Sequence, residues 1–166
     1  MVDILKTKEV INKIKLALVG RNETLAIAES VTGGILQGFF SMADEAMRFY
    51  QGGITTYNLG QKTRHLGVDP ILAQQVNCVS NYVCEAMAKG CSTLFKSHWG
   101  IAVTGFASPV PESNNETYAY YAIVHNNKMV RSEKIVPASA SAVEVQYEYA
   151  KLIIEKFEQY LSSKAC

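Results

Sequence analysis

The sequence predicts a three-layer α/β/α fold, in which a central mixed sheet is flanked by helices. Two observations lead to this fold class. Apolar residues recur at helical spacing in three segments, at about residues 8–19, 80–96 and 143–161. Short runs of apolar and β-branched residues, which are typical of strands, lie between these segments. Helices at both ends of the chain and between the strands indicate a layered α/β sheet.

The first half of the chain contains two predicted strands. The helix at 8–19 follows Thr7, whose hydroxyl is suited to cap it. A strand at 24–28 leads into a short helix at 33–40. The strand at 49–57 is rich in aromatic and β-branched residues and bends at its glycine pair, Gly52-Gly53.

The second half begins with a brief helix at Asp69-Pro70, because proline favours the first helical position. The helix at 80–96 is followed by a strand at 99–104 and a loop at 106–116. Asn126-Asn127 tolerates positive φ angles and predicts a hairpin of strands 118–124 and 129–136. The last helix has one apolar face, made of Val143, Tyr147, Ala150, Ile154, Phe157 and Leu161.

The composition indicates one globular domain spanning residues 1–166. The chain is 48% hydrophobic and 19% charged, and its length is sufficient to bury a sizeable core. Its 16 Lys and Arg residues balance 15 Asp and Glu residues, which argues against nucleic acid or a membrane surface as a partner. The N-terminus lacks a signal-peptide pattern, and no run of about 18 apolar residues occurs. We therefore expect a cytoplasmic protein.

The sequence predicts no metal and no cofactor. Cys78, Cys84, Cys91 and Cys166 show no C-x-x-C spacing, and the three histidines are far apart. Cys84 and Cys91 lie seven residues apart in a helical pattern and are expected to face the core. Segment 60–63 resembles the end of a phosphate-binding P-loop, but glutamine interrupts its Gly-Lys pair. The G-x-G-x-x-G and G-x-S-x-G motifs are both missing.

The most informative segment is Ala-Glu-Ser-Val-Thr-Gly-Gly at 28–34. An apolar run that ends in two hydroxyl residues and a glycine pair predicts a strand followed by a helix N-terminus. Such a corner presents unpaired backbone N–H groups and suits an anion. Ser30 and Thr32 are therefore candidates for a nucleophile or a phosphate ligand. The alternative is structural: one of these hydroxyls caps the helix, and the glycines allow close packing.

Six motifs in order carry a resemblance to a known family. They are the segment at 28–34, Gly52-Gly53 with Thr56-Tyr57, Lys62 ahead of Leu66-Gly67-Val68, Val79-Ser80, Glu85-Ala86-Met87-Ala88 and Val103-Thr104-Gly105. This ordered set resembles the CinA C-terminal domain family, named for competence- and damage-inducible proteins. The resemblance is close over residues 8–107 and extends in outline over the remainder.

The resemblance implies an amidohydrolase that converts the carboxamide of nicotinamide mononucleotide to a carboxylate and releases ammonia. It implies Ser30 as the nucleophile, Lys62 as its activating base, and Thr104 as a residue that orients this pair or stabilises an oxyanion. A serine hydroxyl needs an adjacent base, and lysine is such a base only where its pKa is lowered. The implied substrate-binding residues are Glu29, Thr32, Gly33, Gly34, Tyr57 and Gly105, with backbone N–H groups of 31–34 stabilising an anion.

Each of these residues also has a structural interpretation. Lys62 lies in the polar run 61–65, where an exposed helix face is usual. Thr104 ends a strand, Tyr57 is a core or interface aromatic, and Glu29 holds the turn by accepting hydrogen bonds from backbone N–H groups. The tyrosine-rich segment 118–121 is either an interface or a two-faced core strand. We expect a homo-oligomer with a small-molecule substrate.

The loop after Thr104 departs from the family pattern. The family continues with a Gly-Pro-Gly-Gly-type loop, whereas 106–115 reads Phe-Ala-Ser-Pro-Val-Pro-Glu-Ser-Asn-Asn. Proline removes N–H donors and the acidic Glu112 and Glu116 repel a phosphate, so this loop is poorly suited to a nucleotide. The family also carries arginines before its last helix, but residues 135–140 contain none. The alternative to an enzyme is therefore a diverged, non-catalytic module that binds a small molecule or a partner.

Overall fold

Five strands and six helices form residues 4–164, the part of the chain that the computed structural model describes. The strands are β1 (Leu25–Glu29), β2 (Tyr50–Thr55), β3 (Trp99–Gly105), β4 (Ala119–His125) and β5 (Lys128–Ile135). The helices are α1 (Ile4–Gly20), α2 (Ile35–Ser41), α3 (Leu59–Leu66), α4 (Pro70–Gln75), α5 (Asn81–Leu94) and α6 (Ala142–Ser163). None of these helices combines the length and the apolar character that crossing a membrane requires.

The sheet has the strand order β2-β1-β3-β4-β5. Strands β2, β1 and β3 are parallel, whereas β4 and β5 form an antiparallel hairpin, so the predicted mixed sheet is confirmed. The crossover through α2 leads from β1 to β2, which lies on one side of β1. The crossover through α3, α4 and α5 leads from β2 to β3, which lies on the other side of β1. The two crossovers therefore diverge at the carboxyl end of β1.

Helices cover both faces of the sheet. Buried residues of α1, α2 and α6 pack on one face, and buried residues of α3, α4 and α5 pack on the other. Side chains of β3 alternate between the faces: Ile101 and Val103 join the first cluster, and Ala102 joins the second. The predicted three-layer arrangement is confirmed. Cys84 and Cys91 are fully buried on α5, as expected, while Cys166 lies outside the described residues.

Two predicted helix starts are wrong. Helix α1 begins at Ile4, so Thr7 is a buried residue within the helix and not its cap. Residues 4–6 include no helix breaker, and the helix runs through them. Helix α2 begins at Ile35 because Gly33 and Gly34 have φ angles of +61° and +107°, in the left-handed region that glycine tolerates.

The apolar face of α6 is rotated from the predicted one in its first turns. Val143 and Tyr147 are 63% and 37% exposed, whereas Val145 and Tyr149 are fully buried. Each pair is spaced by four residues, so helical periodicity alone does not distinguish which pair faces the sheet. The remaining predicted face, from Ala150 onward, is buried as expected.

The turn between β1 and α2 is built around the buried carboxylate of Glu29. Its two oxygens accept hydrogen bonds from the Thr32 hydroxyl and from the backbone N–H groups of Gly34, Leu36 and Gln37. A carboxylate at a helix N-terminus satisfies amides that would otherwise lack partners and interacts favourably with the helix dipole. The chain therefore supplies its own anion at this corner.

Close packing between α3 and α5 depends on Gly90. A Cβ atom at this position would overlap the carbonyl group of Leu66 at the end of α3. Glycine therefore lets α3 approach α5 closely, and this approach determines how far the side chains of α3 reach toward the sheet. Gly38 on α2 offers a contrast, because a Cβ atom there would meet nothing within 4 Å.

We expect Gly90→Ala to lower the free energy of unfolding by about 1–3 kcal/mol, the usual cost of overpacking. The matched control is Gly38→Ala, which has room for its methyl group and gains about 0.5–1 kcal/mol from the lower conformational entropy of alanine. Urea denaturation followed by circular dichroism measures both. If Gly90→Ala were as stable as the wild type, the packing argument would be contradicted.

We expect Glu29→Gln to destabilise the protein by about 2 kcal/mol or more, because an amide replaces a buried, charged hydrogen-bond acceptor. Glu148→Gln is the control: Glu148 also accepts from two backbone N–H groups, those of Ala138 and Ser139, but it is only partly buried. Its loss of stability should be smaller in the same denaturation experiment. A larger loss of stability for Glu148→Gln would show that burial of the Glu29 carboxylate does not determine how much it stabilises the fold.

Candidate active site

Three parallel strands bring hydroxyl residues into one row at their carboxyl ends. Glu29 of β1 pairs with Thr55 of β2 and with Val103 of β3. The residues that follow these three are Ser30, Thr56 and Thr104, and all are buried. In open α/β sheets, ligands bind at the carboxyl edge where crossovers diverge. This row therefore marks the candidate site.

Helix α3 brings Lys62 to Ser30. The helix begins after Asn58, whose side-chain oxygen caps it by accepting from the N–H of Gln61. Lys62 Nζ lies 2.9 Å from Ser30 Oγ and donates to the Thr56 carbonyl oxygen at 2.8 Å. Only 1% of Lys62 is exposed. The interpretation of Lys62 as part of an exposed helix face is therefore wrong.

The surroundings of Lys62 favour its neutral form. Burial lowers the pKa of Lys62 below its ordinary value, because removal from water disfavours the ammonium ion. The thiols of Cys78 and Cys84 act in the opposite direction on this pKa, but burial raises the pKa of the Cys84 thiol and keeps it neutral. Among residues 4–164, no carboxylate forms an ion pair with Lys62.

Ser30 and Lys62 lie at the bottom of a cavity of about 640 Å³. This volume is typical of small-molecule sites. Neutral side chains and loop backbone make up most of its wall. The lining residues are Ser30, Val31, Tyr57, Asn58, Leu59, Lys62, Gln74, Asn77, Cys78, Val79, Thr104, Gly105, Phe106, Ala107, Ser108, Val110, Ala142 and Gln146.

Three of the predicted site residues lie in the cavity wall, and each makes a different contact: Thr104, Gly105 and Tyr57. The Thr104 hydroxyl donates to the carbonyl oxygen of Cys78 at 2.8 Å, so it holds the segment after α4 and makes no hydrogen bond to Ser30 or Lys62. A Cβ atom at Gly105 would collide with Ala119 on β4, which accounts for glycine there. Tyr57 is 73% exposed and lies at the cavity rim rather than in a core.

Glu29, Thr32, Gly33 and Gly34 lie outside the cavity wall. The donors expected to hold a substrate anion have a competing partner within the protein, because the Glu29 carboxylate accepts from the Gly34 amide and the Thr32 hydroxyl. The Ser30 amide is also occupied, since it donates to the carbonyl oxygen of Val103. Val31, the residue after Ser30, also lines the cavity, and among residues 4–164 its amide donates no hydrogen bond to another backbone group.

Gln146 is a site residue that the sequence reasoning missed. Its Nε2 donates to the carbonyl oxygen of Val31 at 2.8 Å, which connects α6 to the residue after Ser30. Gln146 lies four residues before the buried Ala150, so it continues the apolar stripe of α6. A polar residue in that stripe is the signal that indicates a cavity.

Within residues 4–164, no group of three or more His, Cys, Asp and Glu side chains is arranged to hold a metal ion.

Curated relatives are similar to this chain over part of its length. It is 39% identical over 97 residues to a CinA-like protein from Frankia casuarinae and 36% identical over 99 residues to one from Prochlorococcus marinus. These matches cover 58% and 60% of the chain. They cover only 22% and 23% of the relatives, so the chain spans about a quarter of their length.

Solved structures share the fold at low sequence identity. The competence damage-inducible protein A from Klebsiella pneumoniae superposes with a TM-score of 0.89 at 23% identity, covering 94% of this chain and 97% of that one. A CinA superfamily protein from Enterobacter cloacae superposes with a TM-score of 0.88 at 22% identity, covering 93% and 92% of the two chains. The family model described as CinA C-terminal domain matches residues 7–160. The chain therefore belongs to the CinA C-terminal domain family.

Proposed function

We propose that this chain is an amidohydrolase of the nicotinamide mononucleotide deamidase type, which hydrolyses a carboxamide to a carboxylate and ammonia. The observation that carries the proposal is the 2.9 Å contact between Lys62 Nζ and Ser30 Oγ inside a cavity. A nucleophile and a base within hydrogen-bond reach are the signature of nucleophilic catalysis. Burial lowers the pKa of Lys62 below its ordinary value, which supports its role as the base.

In the first half-reaction, Ser30 Oγ attacks the carboxamide carbon while neutral Lys62 Nζ accepts the hydroxyl proton. The neutral amine accepts this proton with its lone pair. One of its two N–H groups donates to the Thr56 carbonyl oxygen, and this hydrogen bond holds the amine in position. Lys62 then donates the proton to the amide nitrogen as the carbon–nitrogen bond breaks. Ammonia leaves, and the acyl group remains on Ser30 as an ester.

In the second half-reaction, water attacks the ester. Lys62 accepts a proton from the water and returns it to Ser30 Oγ when the carbon–oxygen bond to the enzyme breaks. The sum is one carboxamide and one water converted to a carboxylic acid and ammonia. The acid and ammonia then exchange a proton in solution, which leaves the enzyme unchanged.

The negative oxygen of each tetrahedral intermediate needs a donor. The amide of Val31 meets this need, because among residues 4–164 it donates no hydrogen bond to another backbone group and it follows the nucleophile directly. The same relation holds in the nucleophile corner of α/β-hydrolases, where the residue after the serine supplies an oxyanion donor. Gln146 positions this amide by holding the Val31 carbonyl oxygen.

The second candidate function is a non-catalytic binding module. It is favoured by one observation: the Thr104 hydroxyl, which is expected to orient the pair or stabilise an oxyanion, donates to the carbonyl oxygen of Cys78 instead. A module of this kind would bind a small molecule in the cavity without turnover. Measurement of ammonia release separates it from the enzyme.

We expect Ser30→Ala to abolish ammonia release from carboxamide substrates while the protein remains folded. The control is Ser41→Ala, which removes an exposed hydroxyl at the end of α2 and should retain full activity. An enzyme-coupled ammonia assay and circular dichroism measure the two properties. Activity that persists unchanged in Ser30→Ala would rule out the proposed nucleophile, and a wild-type protein inactive on every carboxamide tested would favour the binding module.

We expect kcat/KM to fall as the pH is lowered through the pKa of Lys62, because protonation removes the base. Burial lowers this pKa, so the acidic limb of the profile lies below the ordinary lysine value of 10.5. Lys62→Arg carries a permanent charge and should reduce kcat by about a hundredfold or more at every pH. A rate that increases on acidification, or a fully active Lys62→Arg enzyme, contradicts the role of Lys62.

A further inference from the structure

We infer that Asn58 is a specificity-determining residue of this cavity: its side-chain Nδ2 donates to an oxygen of the sugar that the carboxamide substrate carries. This role rests on the proposed function and extends it to the part of the substrate beyond the carboxamide. Three features carry it: the orientation of the Asn58 amide, its place in the cavity wall and its attachment to the helix of Lys62.

The helix cap fixes the orientation of the Asn58 side chain. Its Oδ1 accepts from the backbone N–H of Gln61 at 3.1 Å. The amide nitrogen is a donor only and cannot take this place, so Nδ2 lies on the branch that points away from the capped N–H. Nδ2 carries two N–H groups, and among residues 4–164 it donates no hydrogen bond. Asn58 therefore has a donor to offer a ligand.

Asn58 lines the same cavity as Lys62 but lies nearer to its mouth. The two residues are four positions apart, which is about one helical turn, and both line the cavity. Lys62 is 1% exposed, whereas Asn58 is exposed. A carboxamide carbon that meets Ser30 lies at the bottom of the cavity beside Lys62. The rest of the substrate therefore extends toward the mouth, past Asn58.

The part of a nicotinamide nucleotide that reaches this level is its sugar. The sugar is bonded directly to the pyridine ring, and the phosphate follows the sugar. It is therefore the polar group nearest to the reacting ring and suits a donor that lies one turn above the base. Its hydroxyl and ring oxygens accept hydrogen bonds, and the neutral amide of Asn58 matches these neutral acceptors.

Asn58 is also bonded to the residue that supplies the base. Its carbonyl oxygen accepts from the backbone N–H of Lys62 at 3.1 Å, and its side chain caps the same turn through Gln61. A sugar held by Nδ2 is thus held by the residue that anchors the first turn of α3. Recognition of the sugar and placement of the base therefore meet in one side chain.

Asn58→Ser separates the cap from the donor. Serine caps helices about as well as asparagine does. In this chain Ser80 caps α5 by accepting from the N–H three residues later, which is the spacing of Asn58 and Gln61. Serine has no amide donor. We therefore expect Asn58→Ser to keep the urea midpoint of the wild type, and Asn58→Ala, which loses both functions, to unfold at a lower urea concentration.

The test compares nicotinamide riboside with 1-methylnicotinamide, which has the same positively charged carboxamide ring but no sugar. Calorimetric titration in a Ser30→Ala background requires no turnover. We expect Asn58→Ser to weaken binding of the riboside by about three- to tenfold, the range for one hydrogen bond, and to leave binding of 1-methylnicotinamide unchanged. An equal loss for both compounds, no loss for the riboside, or binding of neither compound overturns the inference.

The matched control is Asp69→Ser. Asp69 caps α4 with its side chain and is not among the residues that line the cavity, so both affinities should stay at their wild-type values. Asn58→Asp is a second variant, because aspartate also caps the helix but has no N–H group. Its added charge acts on both cationic compounds, so we expect the ratio of their affinities to change by the same factor as in Asn58→Ser. An unchanged ratio contradicts the donor role.

Kinetics distinguish failure of this role from failure of the proposed function. With nicotinamide mononucleotide as substrate, we expect Asn58→Ser to raise KM for ammonia release by about three- to tenfold, with a smaller effect on kcat. If no carboxamide is hydrolysed but the riboside loses affinity as expected, Asn58 recognises the sugar and the catalytic proposal fails. A lower kcat at unchanged KM shows that Asn58 acts only through the helix cap, which overturns the inference and leaves the amidohydrolase intact.

Discussion

The amine of Lys62 is buried between a serine hydroxyl and a backbone carbonyl, and no carboxylate neutralises it among the described residues. Burying an ammonium ion there is costly, so the environment lowers the pKa of Lys62. This arrangement requires three structural parts at once. The end of β2 must present the Thr56 carbonyl, the end of β1 must present Ser30, and α3 must lie close against α5. The glycine at position 90 permits the last of these.

The corner after β1 divides two tasks between neighbouring residues. Glu29 uses the amides at the start of α2 to stabilise the turn, and Ser30 is left to face the cavity. The helix N-terminus that was expected to hold a substrate anion is thus filled by the protein's own carboxylate. In the proposed mechanism, the amide of Val31, just beyond Ser30, is the donor that remains for the oxyanion. The residue that stabilises the turn and the residue that lines the cavity are therefore adjacent in sequence.

Much of the fold was predictable because its elements have strong periodicity. The helix around Met87, the buried strand around Ile101 and the hairpin turn at Asn126-Asn127 all follow local rules. The site was harder to predict. The order of the motifs indicated Ser30 and Lys62, but the polar run around Lys62 indicates an exposed helix, and only tertiary packing buries it. The role of Gln146 depends on which face of α6 turns toward the sheet, which four-residue spacing does not determine.

Ser30 and Lys62 come from different crossovers, 32 residues apart, and the glutamine of α6 contacts Val31 from 115 residues further along the chain. A chain that has formed its helices without docking them carries an ordinary, hydrated and protonated lysine. Under the proposed mechanism such a chain has no base, and its serine is no more reactive than any other alcohol. The proposed reactivity therefore requires the last tertiary contacts, and a chain that has not docked α3 against the sheet would be inert.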